Sequence, residues 1–450
     1  MTHRIPIATA VALLAVVATG AQAQTSLTIY NSGRVLVRRT LPVAVPKGAS
    51  EHQVNLGAVE PGSVFPLDPA VSLVAATFDG GTDAQSTARR AIGRDLLFMR
   101  GLGKDDTVRA TLLSVDPERY RYADGTIGFQ APGMARFPAD VVIIEPTMRL
   151  SLSSTAALKI LGLGYFTSGA SWEASYQVIL GGREARVAGN AVVHSGTIDL
   201  ADTELQLVAG DVRTAPRSPG MAKRGQVMEM AVQGDFADQE RIGEAQLYSV
   251  PGRVTLRPGE TTMRALFAPT TAPVAKRLVV RSTTPYWGPL PQFGDEMQVP
   301  VAVTYVVTRA LKTPFGDTPV PGGVARIYQP DAGARLQLIG ESSVGHTAAG
   351  QPMELDAGTA FDLTARVTQT TYTTVREKNR TTATADYSVQ LANATDSVAT
   401  IDVYEERGGD WAVLQSSVPA DRVSSTRVRF RVTVPAKGDA TLTYRIKATW

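Results

Sequence analysis

Thr426-Arg-Val-Arg-Phe-Arg-Val-Thr433 decides the fold class: Val428, Phe430 and Val432 fall at every second position, with Arg427, Arg429 and Arg431 between them. Successive side chains of an extended strand point to opposite faces, so a period of two describes a strand with one face buried. Gln298-Val-Pro-Val-Ala-Val-Thr-Tyr-Val-Val-Thr308 repeats the pattern, with Val299, Val301, Val303 and Tyr305 on the apolar side. Working outward, related runs recur at 27–30, 35–38, 71–78, 107–115, 176–180, 204–208, 278–280, 325–328, 385–391, 399–404 and 441–446, with Gly, Pro, Asn or Asp in nearly every gap. No long stretch shows the 3.6-residue period of a helix. Short strands punctuated by turns predict an all-β chain of tandem β-sandwiches, immunoglobulin-like in architecture.

Turn chemistry divides that chain. Residues 24–83 read as an N-terminal β region. The polar, glycine-rich stretch 79–90 then precedes a compact strand set at 95–100, 107–115, 120–123 and 126–130, with Asp124-Gly125 as a tight hairpin turn. Residues 84–140 therefore read as a small inserted β-barrel, 141–300 as a central sandwich and 301–450 as a C-terminal sandwich. Within the central unit, 214–245 carries no strand period and holds Pro216, Pro219, Gly220, Gly225 and Gly234, the composition of a long exposed loop.

Residues 1–23 have the layout of a secretory signal peptide: His3 and Arg4, an apolar run from Ile7 to Val17, and the small-residue site Ala21-Gln22-Ala23. That run is short of the roughly 20 residues needed to span a bilayer as a helix. Cleavage after Ala23 is expected to expose Gln24, which offers no thiol for a lipid anchor, and to leave a periplasmic or extracellular protein after Sec export. The 450 residues include no Cys, four His, and 45 Lys plus Arg against 42 Asp plus Glu, for a net charge of +3. Thiolate metal sites, iron–sulfur clusters and disulfides are thereby excluded. A nearly neutral chain is not expected to bind nucleic acid. No later segment is apolar over 18 residues, so an integral helical membrane protein is not expected.

Catalytic patterns are sparse. His52, His194 and His346 lie far apart in sequence, and no GxSxG elbow occurs, since Gly169-Ala170-Ser171 runs on into Trp172. Asp105-Asp106 and Glu405-Glu406 would point to opposite faces of a strand and read as solvated acids. Gly162 and Gly164 lack the helix and third glycine of a dinucleotide fingerprint. No catalytic, cofactor-binding or metal residue is assigned, and no cofactor is expected. Met221, Met228 and Met230 offer thioethers for Cu(I) or flexible apolar filler. The row Arg427, Arg429, Arg431 and the cluster Arg34, Arg38, Arg39 could grip lipid phosphate or acidic polysaccharide, or simply solvate a strand. Residues 364–384 are threonine-rich around the turn Glu377-Lys378-Asn379-Arg380, the pattern of a long hairpin exposed on both faces that either accepts a partner strand or forms a plain soluble edge. Leu442, Tyr444, Ile446, Ala448 and Trp450 alternate to the terminus like an outer-membrane barrel signal or a last sandwich strand.

Several blocks, in order, resemble a bacterial family known as domain of unknown function 4139, to which mucoidy-inhibitor-A-like proteins belong. They are Leu27-Thr-Ile-Tyr-Asn-Ser-Gly-Arg-Val-Leu-Val37, Tyr165-Phe-Thr-Ser-Gly-Ala-Ser-Trp-Glu-Ala-Ser-Tyr176, Leu205-Gln-Leu-Val-Ala-Gly-Asp-Val212, Pro321-Gly-Gly-Val-Ala-Arg-Ile-Tyr-Gln-Pro330, Ile339-Gly-Glu341, Gly409-Asp-Trp-Ala-Val-Leu414 and Pro435-Ala-Lys-Gly-Asp-Ala-Thr-Leu-Thr-Tyr444. The resemblance implies a multi-sandwich protein of the cell envelope with no catalytic residues to transfer. Physically, Tyr165, Trp172 and Tyr176 suit a sandwich core, and Gly169 suits a turn with positive φ. The expectation is an exported, non-enzymatic envelope protein acting through protein or glycan contacts, of undetermined oligomeric state. The alternatives are a hydrolase with acidic residues on sandwich-end loops and an outer-membrane β-barrel.

Overall fold

The computed structural model describes residues 25–101, 106–210, 238–242, 245–282, 294–377 and 380–450. Its architecture is all-β, in layered sheets around two large cores and, among the described residues, two small ones. The seven-stranded sheet runs in the order Asp238–Ile242, Ala245–Leu256, Leu200–Ala209, Thr25–Tyr30, Arg34–Leu41, Leu161–Ser168, Phe65–Pro66. It shares the first core with the three-stranded sheet Gly48–Val54, Thr147–Ser154, Val71–Asp79 and with half of a ten-stranded sheet. The other half of that large sheet, Ala399–Glu406 and Arg427–Val434, covers the second core opposite the five-stranded sheet Met297–Val299, Leu363–Glu377, Arg380–Asn393, Gly438–Thr449, Asp410–Ser416. One strand, Thr261–Ser282, runs through both: Leu266, Phe267 and Ala272 lie in the first core and Val280 in the second.

Three parallel ladders join segments far apart in the chain: Thr25–Tyr30 with Leu200–Ala209, Ala170–Gly181 with Gly323–Pro330, and Thr261–Ser282 with Ala399–Glu406. A parallel join needs a long crossover, and here each crossover is most of a sheet. The turn between the seven- and ten-stranded sheets is the single residue Gly169, at φ +109°. A Cβ there would collide with Thr197 Oγ1. Around it the aromatic motif packs as its composition suggests, since Tyr165, Trp172 and Tyr176 are all buried. Each also donates a hydrogen bond to a distant backbone carbonyl: Tyr165 Oη to Leu56 O (3.1 Å), Trp172 Nε1 to Val208 O (3.2 Å) and Tyr176 Oη to Pro321 O (2.6 Å). A large buried side chain contributes about 1.5–3 kcal/mol by desolvation, and its polar end must find a partner.

The run 298–308 is two strands rather than one. Pro300, with no N–H for a ladder, separates Met297–Val299 from Ala302–Val307. All four expected apolar residues are buried, but Val299 and Val301 face the second core while Val303 and Tyr305 face the first. The division expected at 300/301 thus falls between two residues of one core, and the strands that follow return to the other.

The expected inserted barrel is an open sheet. Its order is Met134–Arg136, Asp95–Met99, Thr107–Val115, Glu118–Tyr122, Ile127–Gly128, and the two end strands do not pair with each other. They are three and two residues long, too short to close a ladder. The unit is nonetheless an insertion: the chain leaves at Asp79 and returns at Thr147, which face each other in one antiparallel ladder. Part of the 79–90 stretch read from composition as a polar boundary is the helix Ala84–Arg90, started by Asp83, whose carboxylate accepts Ser86 N (2.9 Å). Ala91, Leu96, Phe98, Ala110, Leu112, Tyr120 and Val141 form the core of the insertion.

Candidate functional site

The threonine-rich run forms a hairpin, Leu363–Glu377 with Arg380–Asn393, but not one exposed on both faces throughout: Ala365, Val367, Gln369 and Ala383 are buried. Its second strand is covered along its length by Gly438–Thr449. Its first strand is the sheet's outer margin. Met297–Val299 pairs with it at Ala365–Val367 and Gly294 N donates to Gln369 O (3.3 Å); beyond Gln369 no strand among the described residues pairs with its outer side. From Thr370 to Glu377 every side chain except the half-buried Tyr372 is exposed. A register shift between Gln369 and Thr371 marks where the buried half ends and the projecting half begins.

The base of that hairpin is pinned by charge inside the sandwich. Glu405 and Arg407 are 0% and 4% exposed. Arg407 Nε donates to Glu405 Oε1 (2.5 Å), Arg407 donates to Tyr387 Oη (3.1 Å), and Tyr444 Oη donates to Glu405 Oε2 (2.7 Å). Gln369 Nε2 joins from the hairpin, donating to Tyr387 Oη (2.9 Å). Tyr444 stacks on Tyr387 and Phe430 with centroids 5.3 and 4.7 Å apart. Burial alone would pull the Arg407 guanidinium down, but Glu405, with Tyr387 and Tyr444, outweighs it and holds Arg407 above its ordinary value. A network of this kind stays charged only while every member is bonded. Glu405, expected as a solvated acid, is instead buried: Ile401, Val403, Glu405 and Arg407 share one parity, and that parity faces the core.

A second buried cation closes the first core. Arg309 donates through Nε to Phe315 O (3.2 Å), through Nη1 to Ala348 O (2.9 Å) and Gln351 O (3.2 Å), and through Nη2 to Thr318 O. Burial pulls it down to about 10, against the opposing influence of Tyr176 and Tyr248, so it stays cationic at neutral pH. Its partners are loop carbonyls, which makes it a clasp on 313–318 and 348–351.

The other sequence candidates stay apart. His52 bonds Ser50 Oγ (2.9 Å) and His194 bonds Thr261 Oγ1 (3.0 Å). His346 Nδ1 accepts Gly322 N (3.0 Å), and burial holds His346 below its ordinary value, as a neutral acceptor requires. The row read as free basic charge is matched by acids: Arg427 with Glu406 (2.8 Å), Arg429 with Asp421 (2.9 Å), Arg431 with Asp402 (3.0 Å). Arg34 pairs with Glu60 (3.1 Å) and lies over Phe166, while Arg38 donates to Ser26, Thr28 and Gln206. Leu442, Tyr444, Ile446 and Ala448 face the second core, and the described ladders are open paths with no closed barrel among them. Residues 1–23, Asp105, residues 214–237 and 243–244 of the expected loop with Met221, Met228 and Met230, and Lys378 and Asn379 of the expected turn lie outside the described residues, while Asp238–Ile242, expected as loop, is a strand paired with Ala245–Leu256.

Two open clefts accompany these features. One, of about 580 Å³, is lined by Arg34, Glu60, Thr167 and Ser168 among others; the second, of about 400 Å³, lies on the three-stranded sheet beside Glu51, His52, Thr77 and Arg149. Each presents one carboxylate, whereas glycoside hydrolysis uses two, about 5–10 Å apart. Among the described residues no cluster of three His, Asp or Glu side chains could hold a metal ion. Comparison with protein-family models and with curated proteins found no match.

Proposed function

We propose that this chain is an exported, non-catalytic protein of the bacterial cell envelope, built on tandem immunoglobulin-like sandwiches, that works by holding an extended segment of a partner protein along the outer edge of Leu363–Glu377. The carrying observation is that edge: over eight residues, 370–377, of which Tyr372 alone packs against the second core, one side of the backbone is unpaired among the described residues. A strand added there satisfies backbone donors and acceptors on both chains and reads alternate side chains, a recurring mode of peptide recognition. The polar anchor of Glu405, Arg407, Tyr387 and Gln369 supports the reading because it fixes the base from which the edge projects, so little order has to be gained on binding. The signal-like residues 1–23 support export, and the ordered blocks resembling domain of unknown function 4139 support a place in the envelope.

The test is site-specific photo-crosslinking in the native cell. A photoreactive residue at Thr373 or Val375 is expected to give a discrete adduct with one protein, and the same residue at Ala412, on the opposite edge strand Asp410–Ser416, is expected to give none. Equal labelling at both edges, or none at either, refutes the edge as the working surface.

A further inference from the structure

The arginine row on Arg427–Val434 is neutralised by its neighbours, but the inserted sheet carries one that is not. In an antiparallel ladder, directly opposed residues share a face. Leu97 is opposed on one side by Arg136 and on the other by Arg109; Thr111, two residues on from Arg109, is opposed by Arg121; Arg121 in turn is opposed by Ile127. Arg119, two residues before Arg121 and across Tyr120, which turns into the core, points to the same side. Arg109, Arg119, Arg121 and Arg136 therefore stand on one solvent-facing surface, on strands spaced about 4.8 Å apart. All four are exposed, and among the described residues none has an ion-pair or side-chain hydrogen-bond partner. Among the described residues of these strands, the one acid on that face, Asp95, is engaged by Thr111 (2.6 Å).

Both margins of this surface are apolar. Met134 is opposed to Met99 on one edge strand and is 76% exposed; on the other edge Ile127 is 51% exposed, and Phe129, just beyond it, is 66% exposed under the guanidinium of Arg119. A soluble polyanion would use the arginines and leave these side chains in water. A bilayer surface uses both, since phosphates take the guanidinium forks while apolar side chains sink to the acyl boundary. Charge complementarity with an apolar rim favours the lipid surface.

We infer that this face of the inserted sheet docks on a membrane surface bearing anionic phosphate headgroups, with Arg109, Arg119, Arg121 and Arg136 on the phosphates and Ile127, Phe129 and Met134 in the interface. The inference is independent of the edge proposed above, which lies in the other terminal half of the chain. The probe is the full-length chain mixed with vesicles of phosphatidylglycerol and phosphatidylcholine, or phosphatidylcholine alone, with dextran sulfate as a soluble polyanion. Sedimentation with the phosphatidylglycerol vesicles is expected, falling with added salt. Each arginine changed to glutamine should cost about fivefold in partition, so that all four together abolish it. Phe129→Ser with Met134→Ser should weaken vesicle binding at unchanged dextran sulfate binding, and Arg427→Gln, already opposite Glu406, should change neither. Unaltered circular dichroism of the variants keeps the comparison to the surface. Equal binding to both vesicle types, no vesicle binding, or vesicle binding indifferent to Phe129 and Met134 would overturn the inference, the last in favour of a soluble polyanion.

Discussion

Replacing Glu405 by methionine isolates what the buried charge network contributes. The substitution roughly keeps volume and removes the carboxylate that accepts both Arg407 Nε and Tyr444 Oη. The guanidinium is left buried with the Glu405 carboxylate gone, at a cost of about 3–5 kcal/mol, and the tyrosine hydroxyl's loss of that acceptor adds about 1 kcal/mol. Against the 5–15 kcal/mol typical of a domain, that is a large share of the stability of the second core. In Glu405→Met with Arg407→Met no charge remains to be desolvated; Gln369 still serves Tyr387, and the loss should shrink to about 1–2 kcal/mol. Native-state hydrogen exchange reads this locally, on peptides covering Arg380–Asn393 and Gly438–Thr449, while the first core serves as an internal reference. The single variant should exchange on the order of a thousandfold faster in those strands, and the double variant roughly tenfold faster. If the single variant changes exchange less than tenfold, or if the double is as damaged as the single, the buried pair is not what holds this core together.

Two further outcomes are expected. Gly169→Ala puts a side chain at φ +109° and against Thr197; strain of about 1–3 kcal/mol should lower the midpoint of thermal unfolding of the first core by about 3–10 °C, and an unchanged midpoint would contradict the assigned turn. Asp386 is hydrogen-bonded by Arg445 and by Thr371, which hold its carboxyl below the ordinary value. A carboxylate lowered on folding stabilises above its unfolded pKa and loses that contribution as pH falls through the folded one. The wild type should therefore exceed Asp386→Asn in stability at pH 7, and the gap should close below about pH 4; a gap independent of pH would mean the contribution is not electrostatic.

Most of the strand framework was legible because a period of two survives without knowledge of partners. Val428, Phe430 and Val432 are buried as their spacing requires, and Gly169 turns where its lack of a side chain allows. What stayed hidden depended on partners remote in sequence. The arginines of Arg427–Val434 look free along the chain, and only the neighbouring strands bring Glu406, Asp421 and Asp402 against them. Whether the inserted strands close into a barrel depends on two end strands whose shortness no periodicity reports. The helix Ala84–Arg90 was obscured by glycines in the turn before it, although Asp83 and Ser86 form its capping signal.

The buried charges belong to a different case, because the pattern was present and was read as ending too soon. Val303, Tyr305 and Val307 continue at the same parity into Arg309; Ile401 and Val403 into Glu405 and Arg407; Leu363, Ala365 and Val367 into Gln369. In each run the inward face passes from aliphatic to polar without changing side. Hydrophobicity falls at that point while the geometry does not, so an inward strand end must supply hydrogen bonds where neighbouring side chains or loop carbonyls need them. Arg309 meets carbonyls at such an end, and Glu405, Arg407 and Gln369 meet one another. The inward parity of a strand therefore carries buried ionisable groups even where hydropathy points to solvent: in this chain it places Glu405, Arg407 and Gln369 at the base of the hairpin Leu363–Glu377 and Arg380–Asn393, and Arg309 against the loops that close the first core.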